Sequence, residues 1–537
     1  MPVSFSKLNF DCRYVKALPA DDERENYPRQ VYHSAYSYVV PKKSSKPNLI
    51  ILSNDCATQL GITNTNADST EFANTLCGNT LLSGMKPYAM CYGGHQFGYW
   101  AGQLGDGRAI NLGELKTPDN GYKTLQLKGA GPTPYSRSAD GFAVLRSSIR
   151  EFLCSEAMFY LGIPTTRALS LCLTGDLVLR DMFYDGHARH EFGAVVCRIS
   201  SSFTRFGTFQ LPASRGDVEL LKSLVDTCIT LDFSHLLNDK QEINEAIYLS
   251  WFSEVCDRTC ELMVHWMRVG FVHGVMNTDN MSIIGETIDF GPYGWLEGYD
   301  PLWTPNTTDA SHHRYCFGRQ PTIALWNLNR LAQAVSPLVC DISQFKEYLK
   351  ISVRHLEVQI QKMQANKLGL EAYIPKTDQL LLDQLLEVLQ MHEIDFTIFY
   401  RNLSRVCKDT NLEKSTEDAL IRPILDAYYL PKQLSKEAKS SMAQWLRNYI
   451  TRLNKDIGSD SDRSKKMNRV NPKYILRNYL AQLAIGKAEK EDFSDVNELF
   501  EVMKHPYDEQ SDKETYAKKR PEWARSKAGC SMLSCSS

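Results

Sequence analysis

The sequence has no long apolar run, and this absence excludes a membrane-spanning helix. In its 537 residues, no hydrophobic stretch approaches the roughly 18 residues that cross a bilayer. An excess of one charge is also absent, because 61 Lys and Arg residues nearly balance 63 Asp and Glu residues. A near-neutral chain gives no electrostatic reason to expect nucleic acid or an anionic membrane as a partner, and we expect neither.

The helical segment that contains Cys256 and Cys260 lacks the cysteine pairs of a metal site. Cys256, Cys260 and His265 share an apolar helical pattern, but no C-x-x-C pair or fourth ligand accompanies them, so we expect core packing rather than a metal site. The 15 Cys residues are scattered through the chain, which is typical of reduced thiols. The first eleven residues lack the hydrophobic segment of a signal peptide. We expect a cytoplasmic protein, and nothing demands more than a monomer.

The order of the sequence patterns predicts an α+β protein. Short strand and turn patterns alternate with helical ones up to about residue 212, and from residue 216 to about 455 the patterns are mainly helical. Residues 455–466 predict a charged loop, and a further helix is expected from Pro472. The polar tail from Lys513 predicts irregular structure. A chain of this length has room for two to four domains.

Glycine is concentrated between Tyr92 and Gly113. Gly105, Gly107 and Arg108 lie within this region, where glycines let backbone N–H groups approach a phosphate and the guanidinium adds a fork of donors. A series of tight turns between strands would have the same composition. The glycine content alone therefore does not establish a phosphate site.

The segment after the glycines adds a lysine and an acid. Residues 124–128 alternate like a strand that ends at Lys128, and residues 143–161 have the periodicity of a helix that carries Glu151. A strand-terminal Lys paired with a helical Glu is the nucleotide-binding arrangement of protein kinases. An exposed helical Glu is the alternative. Asp140 and Gly141 predict a turn before the helix, with Asp140 able to cap it or to hold a ligand.

Residues 270–291 bring further polar groups into an apolar pattern. Met281–Ile284 and Thr287–Ile288 predict two short strands joined by a turn at Gly285. Such a hairpin would bring Asn280 and Asp289 together, and amide and carboxylate oxygens suit Mg²⁺ held against a nucleotide phosphate. Arg198 and Arg205 flank a Ser-rich segment upstream, and they could neutralise a polyphosphate if both face the same cleft.

The spacing of these residues resembles that of a protein kinase, with one exception. His273 to Asn280 fits H-x-D-x-x-x-x-N, and Asp289-Phe-Gly fits D-F-G. Val275 stands where a kinase has its catalytic Asp. Taken alone, this substitution favours a nucleotide-binding pseudokinase scaffold without transferase activity, and an atypical phosphotransferase with a displaced base is a second alternative.

Longer motifs resemble those of the selenoprotein O family of protein adenylyltransferases, which have a pseudokinase fold. The matching segments extend over nearly the whole chain, far beyond a lone glycine-rich loop. They are Tyr92-Gly-Gly-His-Gln-Phe-Gly, Gly105-Asp-Gly-Arg-Ala, Leu125-Gln-Leu-Lys-Gly-Ala-Gly-Pro-Thr-Pro-Tyr-Ser-Arg, His273-Gly-Val-Met-Asn-Thr-Asp-Asn-Met-Ser, Ile288-Asp-Phe-Gly-Pro-Tyr-Gly, Asn471-Pro-Lys-Tyr-Ile-Leu-Arg-Asn-Tyr-Leu-Ala and the final Cys-Ser-Ser.

The resemblance implies a protein-kinase-like two-lobed fold with N-terminal and C-terminal helical extensions. The implied divisions are an N-terminal extension (1–90), a small lobe (91–212), a mostly helical large lobe (213–455) and a C-terminal helical extension with a Cys-containing tail (456–537). The implied reaction transfers AMP from ATP to Ser, Thr or Tyr hydroxyls of proteins with release of pyrophosphate. UTP is a second candidate donor, and Mg²⁺ or Mn²⁺ is the implied cofactor.

The resemblance also implies roles for individual residues. Asp279 would accept the proton of the attacking hydroxyl, which moves the acid away from the position of Val275, as a reversed nucleotide would require. Asn280 and Asp289 would bind the metal, and Glu151 would pair with Lys128. The implied nucleotide-binding residues are Gly105, Gly107, Arg108, Lys128, Asp140, Gly141, Arg198, Arg205 and Asp289.

A redox role is implied for the end of the chain. Cys535 stands third from the end, where some family members carry selenocysteine, and in bacterial relatives the terminal Cys is expected to bridge a Cys of the activation-loop region. The position expected for that partner holds Pro305 here, and Cys316 is the nearest loop thiol. A Cys535–Cys316 bridge and tail thiols without a role both stay open.

Overall fold

The computed structural model describes residues 8–62, 69–181, 186–237 and 242–534, and it is a mixed α and β protein as predicted. The strands are β1 (Phe10–Asp11), β2 (Tyr36–Tyr38), β3 (Asn48–Leu52), β4 (Tyr88–Met90), β5 (Gly93–Gln96), β6 (Tyr99–Gln103), β7 (Ala109–Lys116), β8 (Tyr122–Lys128), β9 (Ala143–Val144), β10 (Arg167–Arg180), β11 (Arg189–Ser200), β12 (Phe271–Val272) and β13 (Gly294–Trp295).

Sixteen helices occur in these ranges, most of them in the second half of the chain. They are α1 (Arg13–Ala17), α2 (Asn54–Gln59), α3 (Ser69–Leu76), α4 (Leu145–Tyr160), α5 (Phe206–Ser214), α6 (Val218–Asp232), α7 (Glu245–Val269), α8 (Gln320–Val335), α9 (Ser343–Leu368), α10 (Pro375–Met391), α11 (Phe396–Leu403), α12 (Glu417–Ile421), α13 (Lys436–Leu453), α14 (Asp460–Val470), α15 (Asn478–Ala488) and α16 (Ser494–Met503). None is long and apolar enough to cross a membrane.

A nine-stranded antiparallel sheet organises the first 200 residues. Its main path is β2-β4-β7-β8-β11-β10-β3, with β1 beside β7 and β9 beside β11. β8 lies inside the sheet, and its last residue, Lys128, pairs with Ala109 on one side and Val196 on the other. Strands from before and after residue 90 thus belong to one sheet. The two-lobed arrangement and the bounds of the four domains stay predictions.

Helix α4 packs against the sheet through the apolar face that its periodicity predicts. Leu145, Ile149, Phe152 and Leu153 are all buried. Glu151, on the same helix, is only 3% exposed. The alternative of an exposed helical Glu is therefore wrong, and a buried carboxylate of this kind requires a partner.

Helix α7 carries the chain through the main hydrophobic core to the stretch that begins at Gly270. Cys256 and Cys260 are buried in that core, as predicted, and His265 lies half-buried near Glu261. Among the described residues no group of three or more His, Cys, Asp or Glu side chains is arranged to hold a metal. The helix ends at Gly270, whose φ of 75° and N–H bond to the Trp266 carbonyl form a left-handed C-cap.

The predicted hairpin between Asn280 and Asp289 is wrong. Its two segments do not pair with each other: Ser282 bridges to Arg205, and Thr287 bridges to Thr165. Backbone groups from distant segments compete successfully for these short strands. The stretch thus links the residues around Arg205 to the end of α4 instead of forming a local turn.

Three further local predictions need correction. Residues 206–214 form helix α5 rather than a strand and turn, and α14 occupies most of the predicted 455–466 loop, with Ser459 as its N-cap. The helix expected from Pro472 begins at Asn478, because the N–H groups of Lys473 and Tyr474 donate to the Pro506 carbonyl. The polar residues 64–70 also predict a loop before a helix; most of them lie outside the described residues, and α3 begins at Ser69.

Glu286 gives a testable pH dependence of stability. Burial raises the pKa of its carboxyl to about 7, against the opposing effects of Lys123 and the Ser200 hydroxyl, which donates at 2.6 Å. Between pH 4.5 and about 7 the folded protein therefore holds a proton that the unfolded chain releases, so this group lowers the unfolding free energy as pH rises. We expect Glu286→Gln to gain stability relative to the parent between pH 5 and 8, measured by urea unfolding.

The control for this prediction is Glu501→Gln, at an exposed position of α16. Its stability difference from the parent should be the same at both pH values. A pH-independent difference for Glu286→Gln as well would show that the carboxyl titrates normally.

Candidate active site

A cavity of about 770 Å³ lies between the glycine-rich segment, the end of β8 and residues 275–292. Its volume is in the range of sites that bind nucleotide-sized ligands. Every residue predicted to contact nucleotide or metal lines it, together with Asp279. Its cationic side chains outnumber its acids; they are Arg108, Lys128, Arg137, Arg180, Arg198 and Arg205, against Asp106, Asp140, Asp181, Asp279 and Asp289.

Asp289 is the point where three buried cations meet. The Lys128 Nζ lies 3.5 Å from Oδ1, and the Arg198 Nη1 donates to the same oxygen at 2.6 Å. Arg205 Nη1 donates to Oδ2. Burial would raise the pKa of this carboxyl, but Arg205, Arg198 and Lys128 outweigh it and hold the pKa well below its usual range. Asp289 is therefore an anion at neutral pH.

Glu151 completes the charge cluster. Its Oε2 lies 2.6 Å from the Lys128 Nζ, and its Oε1 accepts from the Arg198 Nη1 at 3.0 Å. The predicted Lys128–Glu151 pair is thus present. Three cations and three acids meet at this end of the cavity, because Asp106 lies 3.8 Å from Arg205, and burial raises the pKa of its carboxyl. The cations contact Asp289 and Glu151 more closely than Asp106, and their N–H donors suit an anionic ligand.

The fold explains why these side chains meet. Lys128 ends β8, and the β8–β11 register places Arg198 opposite Gln126, whose Oε1 accepts from the guanidinium. Arg205 immediately precedes α5. Asp289 has a φ of 56°, a left-handed conformation that few non-glycine residues adopt. Strain of this kind is typical of residues whose placement matters to function.

Asp279 lies across the cavity in a different environment. It is 8% exposed, and the Gln96 amide donates to its Oδ2 at 3.3 Å. Its Oδ1 is buried without a hydrogen-bond partner. Burial raises the pKa of this carboxyl to about 6, so it is mostly ionised at neutral pH. Its main-chain carbonyl accepts from the Arg205 Nη1 at 2.7 Å, which ties Asp279 to Asp289 through one guanidinium.

Gly94 leaves room for the Asp279 carboxylate. A Cβ at this position would lie 2.5 Å from the Asp279 Oδ1 and 2.9 Å from its Cβ. We expect Gly94→Ala to displace the carboxylate and to lower the AMP transfer that the resemblance implies by about tenfold, since misplacement of a reacting group would be costly. The implied ATP affinity should change little. Gly486→Ala is the matched control, because its Cβ would meet no atom within 4 Å; equal rates in both variants would contradict the prediction.

Close packing explains two of the predicted glycines. Gly105 has a φ of 82°, and a Cβ there would overlap the Tyr135 ring. Gly141 has a φ of 76°, and a Cβ there would overlap the backbone of Gly131. Both conformations are disfavoured for other residues. The glycines therefore shape the cavity wall whether or not their backbone also contacts a phosphate.

The oxygen atoms around Asn280 fit a hard divalent cation. The Asn280 amide nitrogen donates to the Val275 carbonyl at 3.0 Å, so the Oδ1 is not used in that bond. The Asp289 carboxylate is anionic, and the unpartnered Asp279 Oδ1 is nearby in the cavity lining. Mg²⁺ and Mn²⁺ prefer such oxygen donors, and Mg²⁺ commonly completes its shell with substrate phosphates and water.

Asp140 lines the cavity but does not cap α4, and the capping prediction is wrong. Its carboxylate accepts from the Phe142 N–H at 3.0 Å and pairs with Arg180 at 2.7 Å. The residue before the helix is Val144, which makes no side-chain cap. The Asp140–Arg180 pair instead forms part of the cavity wall.

Sequence reasoning missed several side chains of the site. Gln96 bonds Asp279, and Asp106 lies 3.8 Å from Arg205 and accepts from the Met90 N–H at 3.0 Å. Arg137 lines the cavity with a φ of 56°. All three lie inside the long motifs that carry the resemblance, so their polar character within glycine- and proline-rich segments was the available signal.

Of the two predicted redox residues, Cys316 does not line the cavity. Cys316 is buried, and burial raises the pKa of its thiol. Cys535 lies outside the described residues, so the bridge stays a prediction. The last described residues nevertheless approach the same loop, because the Leu533 N–H donates to the Pro305 carbonyl at 3.1 Å and its carbonyl accepts from the Thr307 N–H at 2.9 Å.

Comparison with known proteins gives a consistent result along the chain. Residues 25–504 match the family described as protein adenylyltransferase SelO. The chain is 54% identical to a protein nucleotidyltransferase YdiU of Rhodopirellula baltica over 99% of both chains. Proteins of the same name from Flavobacterium johnsoniae and Tolumonas auensis are each 52% identical, also over 99% of both chains. The chain therefore belongs to the SelO family of protein adenylyltransferases and is an enzyme of the nucleotidyltransferase class.

Proposed function

We propose that this enzyme transfers AMP from ATP to Ser, Thr or Tyr hydroxyls of proteins and releases pyrophosphate. The observation that carries the proposal is the distribution of charge in the cavity. Lys128, Arg198 and Arg205 form a buried cationic end, while the Asp279 carboxylate lies on another side with an unpartnered oxygen. No acid stands at Val275, where a kinase would hold the hydroxyl that attacks the γ-phosphate.

The cationic end would hold the terminal phosphates of ATP. In the ligand-free arrangement, Asp289 is shared by three cations. A polyphosphate supplies oxygen acceptors in the same geometry, and the two arginine forks suit it through paired N–H donors. Burying the β- and γ-phosphates at this end would present the α-phosphate towards Asp279. This reversed placement makes pyrophosphate, rather than a nucleoside diphosphate, the leaving group.

Asp279 would orient the acceptor hydroxyl for in-line attack. The hydroxyl oxygen forms a bond to the α-phosphorus, the bond from that phosphorus to the bridging oxygen of pyrophosphate breaks, and the hydroxyl proton passes to the Asp279 carboxylate. A carboxylate with a pKa of about 6 is ionised at neutral pH and retains some basicity. Positioning and electrostatic stabilisation account for most of the rate in phosphoryl-type transfers.

Asn280 and Asp289 would hold Mg²⁺ or Mn²⁺ through their side-chain oxygens. When bound, the cation would neutralise phosphate charge and fix the polyphosphate. The binding of ATP would then redistribute the Lys128, Arg198 and Arg205 contacts between the Asp289 carboxylate and the phosphates. The same cavity would also accept UTP if its contacts with the base tolerate uracil. UMP would then be the transferred group.

Separate labelling of the α- and γ-phosphates tests the proposal. The enzyme is incubated with a mixture of proteins and Mg²⁺ or Mn²⁺, and label on protein is measured. We expect protein label from α-labelled ATP only, together with free pyrophosphate. Label from γ-labelled ATP only would make the enzyme a phosphotransferase, and ATP binding without any label on protein would favour a scaffold.

A further inference from the structure

Beside Asp279 the protein presents a cluster of aromatic and cationic side chains, two of them exposed and three half-buried, that the reaction described above does not use. We call this cluster the acceptor platform, and it consists of Tyr99, Trp100, Arg314, Trp326 and Arg330. Tyr99 is 81% exposed and Trp100 is 39% exposed. Two adjoining exposed aromatic rings form a contiguous apolar surface that a ligand can cover.

Tyr99 and Trp100 of the platform lie on the β5–β6 hairpin, which is hydrogen-bonded to the residues just before Asp279. The His95 N–H donates to the Thr278 hydroxyl at 2.7 Å, and the Phe97 N–H donates to the Asn277 Oδ1 at 3.2 Å and to the Tyr315 hydroxyl at 3.0 Å. The ring of Phe97 packs 5.1 Å from that of Tyr315. The hairpin tip therefore cannot move without moving the residues that flank Asp279.

The platform also lies close to the attacking position. Gln96 bonds Asp279, and two residues later a Cβ at Gly98 would lie 3.4 Å from the Arg314 guanidinium carbon. Two residues of extended chain span at most about 7 Å. A side chain of a bound polypeptide one or two residues from the modified hydroxyl would thus reach Arg314.

The two arginines of the platform are held in place by an aromatic ring rather than by acids. The guanidinium carbons of Arg314 and Arg330 each lie 4.8 Å from the ring centroid of Trp326, and the His95 ring lies 5.6 Å from it. Within the described ranges neither arginine has an acid within salt-bridge distance, and the Nε atoms of both are buried without a hydrogen-bond partner. Cation–π stacking offsets only part of the cost of leaving such groups unpaired.

Asp309 offsets part of the Arg314 charge electrostatically. Its carboxylate oxygens, however, are bonded to the backbone N–H groups of Arg314 and Tyr315, at 2.9 and 2.7 Å, rather than to the guanidinium. The His95 side chain carries no negative charge. The platform is thus a positive, aromatic surface beside Asp279, and its unpaired guanidinium donors favour carboxylate partners.

We propose that the acceptor platform selects the protein segment that is modified, and that it favours a hydroxyl residue flanked by acidic side chains. Arg314 and Arg330 would pair with the flanking carboxylates, and Tyr99 and Trp100 would cover the peptide backbone and any apolar neighbour. This inference rests on the proposed AMP transfer to proteins and adds a substrate class to it. An arginine pair of this kind discriminates mainly by rejecting like charge.

The test uses two synthetic peptides that each contain one Ser, flanked by Glu in one and by Lys in the other. Transfer is followed with α-labelled ATP, and ATP affinity is measured separately by calorimetry. The full-length enzyme should modify the Glu peptide with a kcat/KM at least about tenfold above that of the Lys peptide. Arg314→Glu should reverse or abolish this preference and leave ATP affinity within about twofold. Arg469→Glu, on the exposed surface of α14, should behave as the parent.

A second variant guards against a folding defect in Arg314→Glu. Tyr99→Ser changes a side chain that is almost fully exposed, so its melting temperature should match the parent while the KM for the Glu peptide rises several-fold. Equal use of both peptides by the parent would overturn the proposal, as would a loss of ATP affinity in Arg314→Glu, which would assign the platform to the nucleotide site. Absence of α-label on either peptide and on every protein tested would instead overturn the proposed function itself.

Discussion

Asp279→Asn should abolish most AMP transfer while leaving ATP binding nearly intact. The substitution keeps the size of the side chain but removes the charge that would orient and deprotonate the hydroxyl, an effect of about 10²- to 10⁴-fold for a general base. Its main-chain carbonyl would still accept from Arg205, so the cationic end of the cavity should remain in place. Single-turnover transfer of α-label and calorimetric ATP titration measure the two quantities separately.

Asp232→Asn is a suitable control for this variant. Burial likewise raises the pKa of the Asp232 carboxyl, to about 7, but the residue lies at a separate small cavity near Arg13 and Ser202. Its transfer rate should equal that of the parent. Full activity in Asp279→Asn would remove the proposed role, and a loss of ATP affinity there would make Asp279 a binding residue.

Asp289→Asn should have the largest effect on stability. Lys128, Arg198 and Arg205 are buried, and the substitution leaves Lys128 and Arg198 with Glu151, and Arg205 with Asp106 at 3.8 Å. Removing one partner from a buried ionic cluster costs roughly 3 kcal/mol or more. The variant should also lose transfer, since Asp289 is one of the two proposed metal ligands. Urea unfolding gives the stability and α-label transfer gives the activity.

Pyrophosphate provides a sharper readout for the same variant. Because the unpaired cations would donate hydrogen bonds to phosphate oxygens, millimolar pyrophosphate should raise the melting temperature of Asp289→Asn more than that of the parent. Asp140→Asn is the matched control, because Asp140 is considerably more exposed and pairs only with Arg180. Its stability should stay within about 0.5 kcal/mol of the parent. If Asp289→Asn is as stable as the parent and pyrophosphate does not raise its melting temperature, the Asp289 charge does not hold Lys128, Arg198 and Arg205 in place.

Local patterns in the sequence were enough to predict the Lys128–Glu151 ion pair. An alternating strand that ends in Lys and a helical period that carries Glu define the two elements, and the kinase analogy places them together. The inward direction of Arg198 and Arg205 could not be predicted in the same way. It depends on the register of β11 against β8 and on the single bridge between Arg205 and Ser282, which are properties of distant segments.

The wrong hairpin has the same physical cause. The residues between Asn280 and Asp289 have strand-like patterns, but their backbone groups bind Thr204 and Pro164, which are remote in sequence. Two short strands gain little from pairing with each other when longer elements offer the same hydrogen bonds. Asn280 and Asp289 line one cavity although the local structure differs from the predicted hairpin, and their shared metal site stays a prediction.

The pairing of β3 with β10 has a consequence for biosynthesis. Leu52 pairs with Ser170, about 120 residues later in the chain. At common translation rates of 5–20 residues per second, β3 would wait on the order of ten seconds for its partner strand to be made. During that time its unpaired edge, rich in Leu and Ile, is open to association with other nascent chains. Slow translation should therefore lower the expression yield and added chaperones should raise it. Both effects should exceed that of the stability of the finished enzyme.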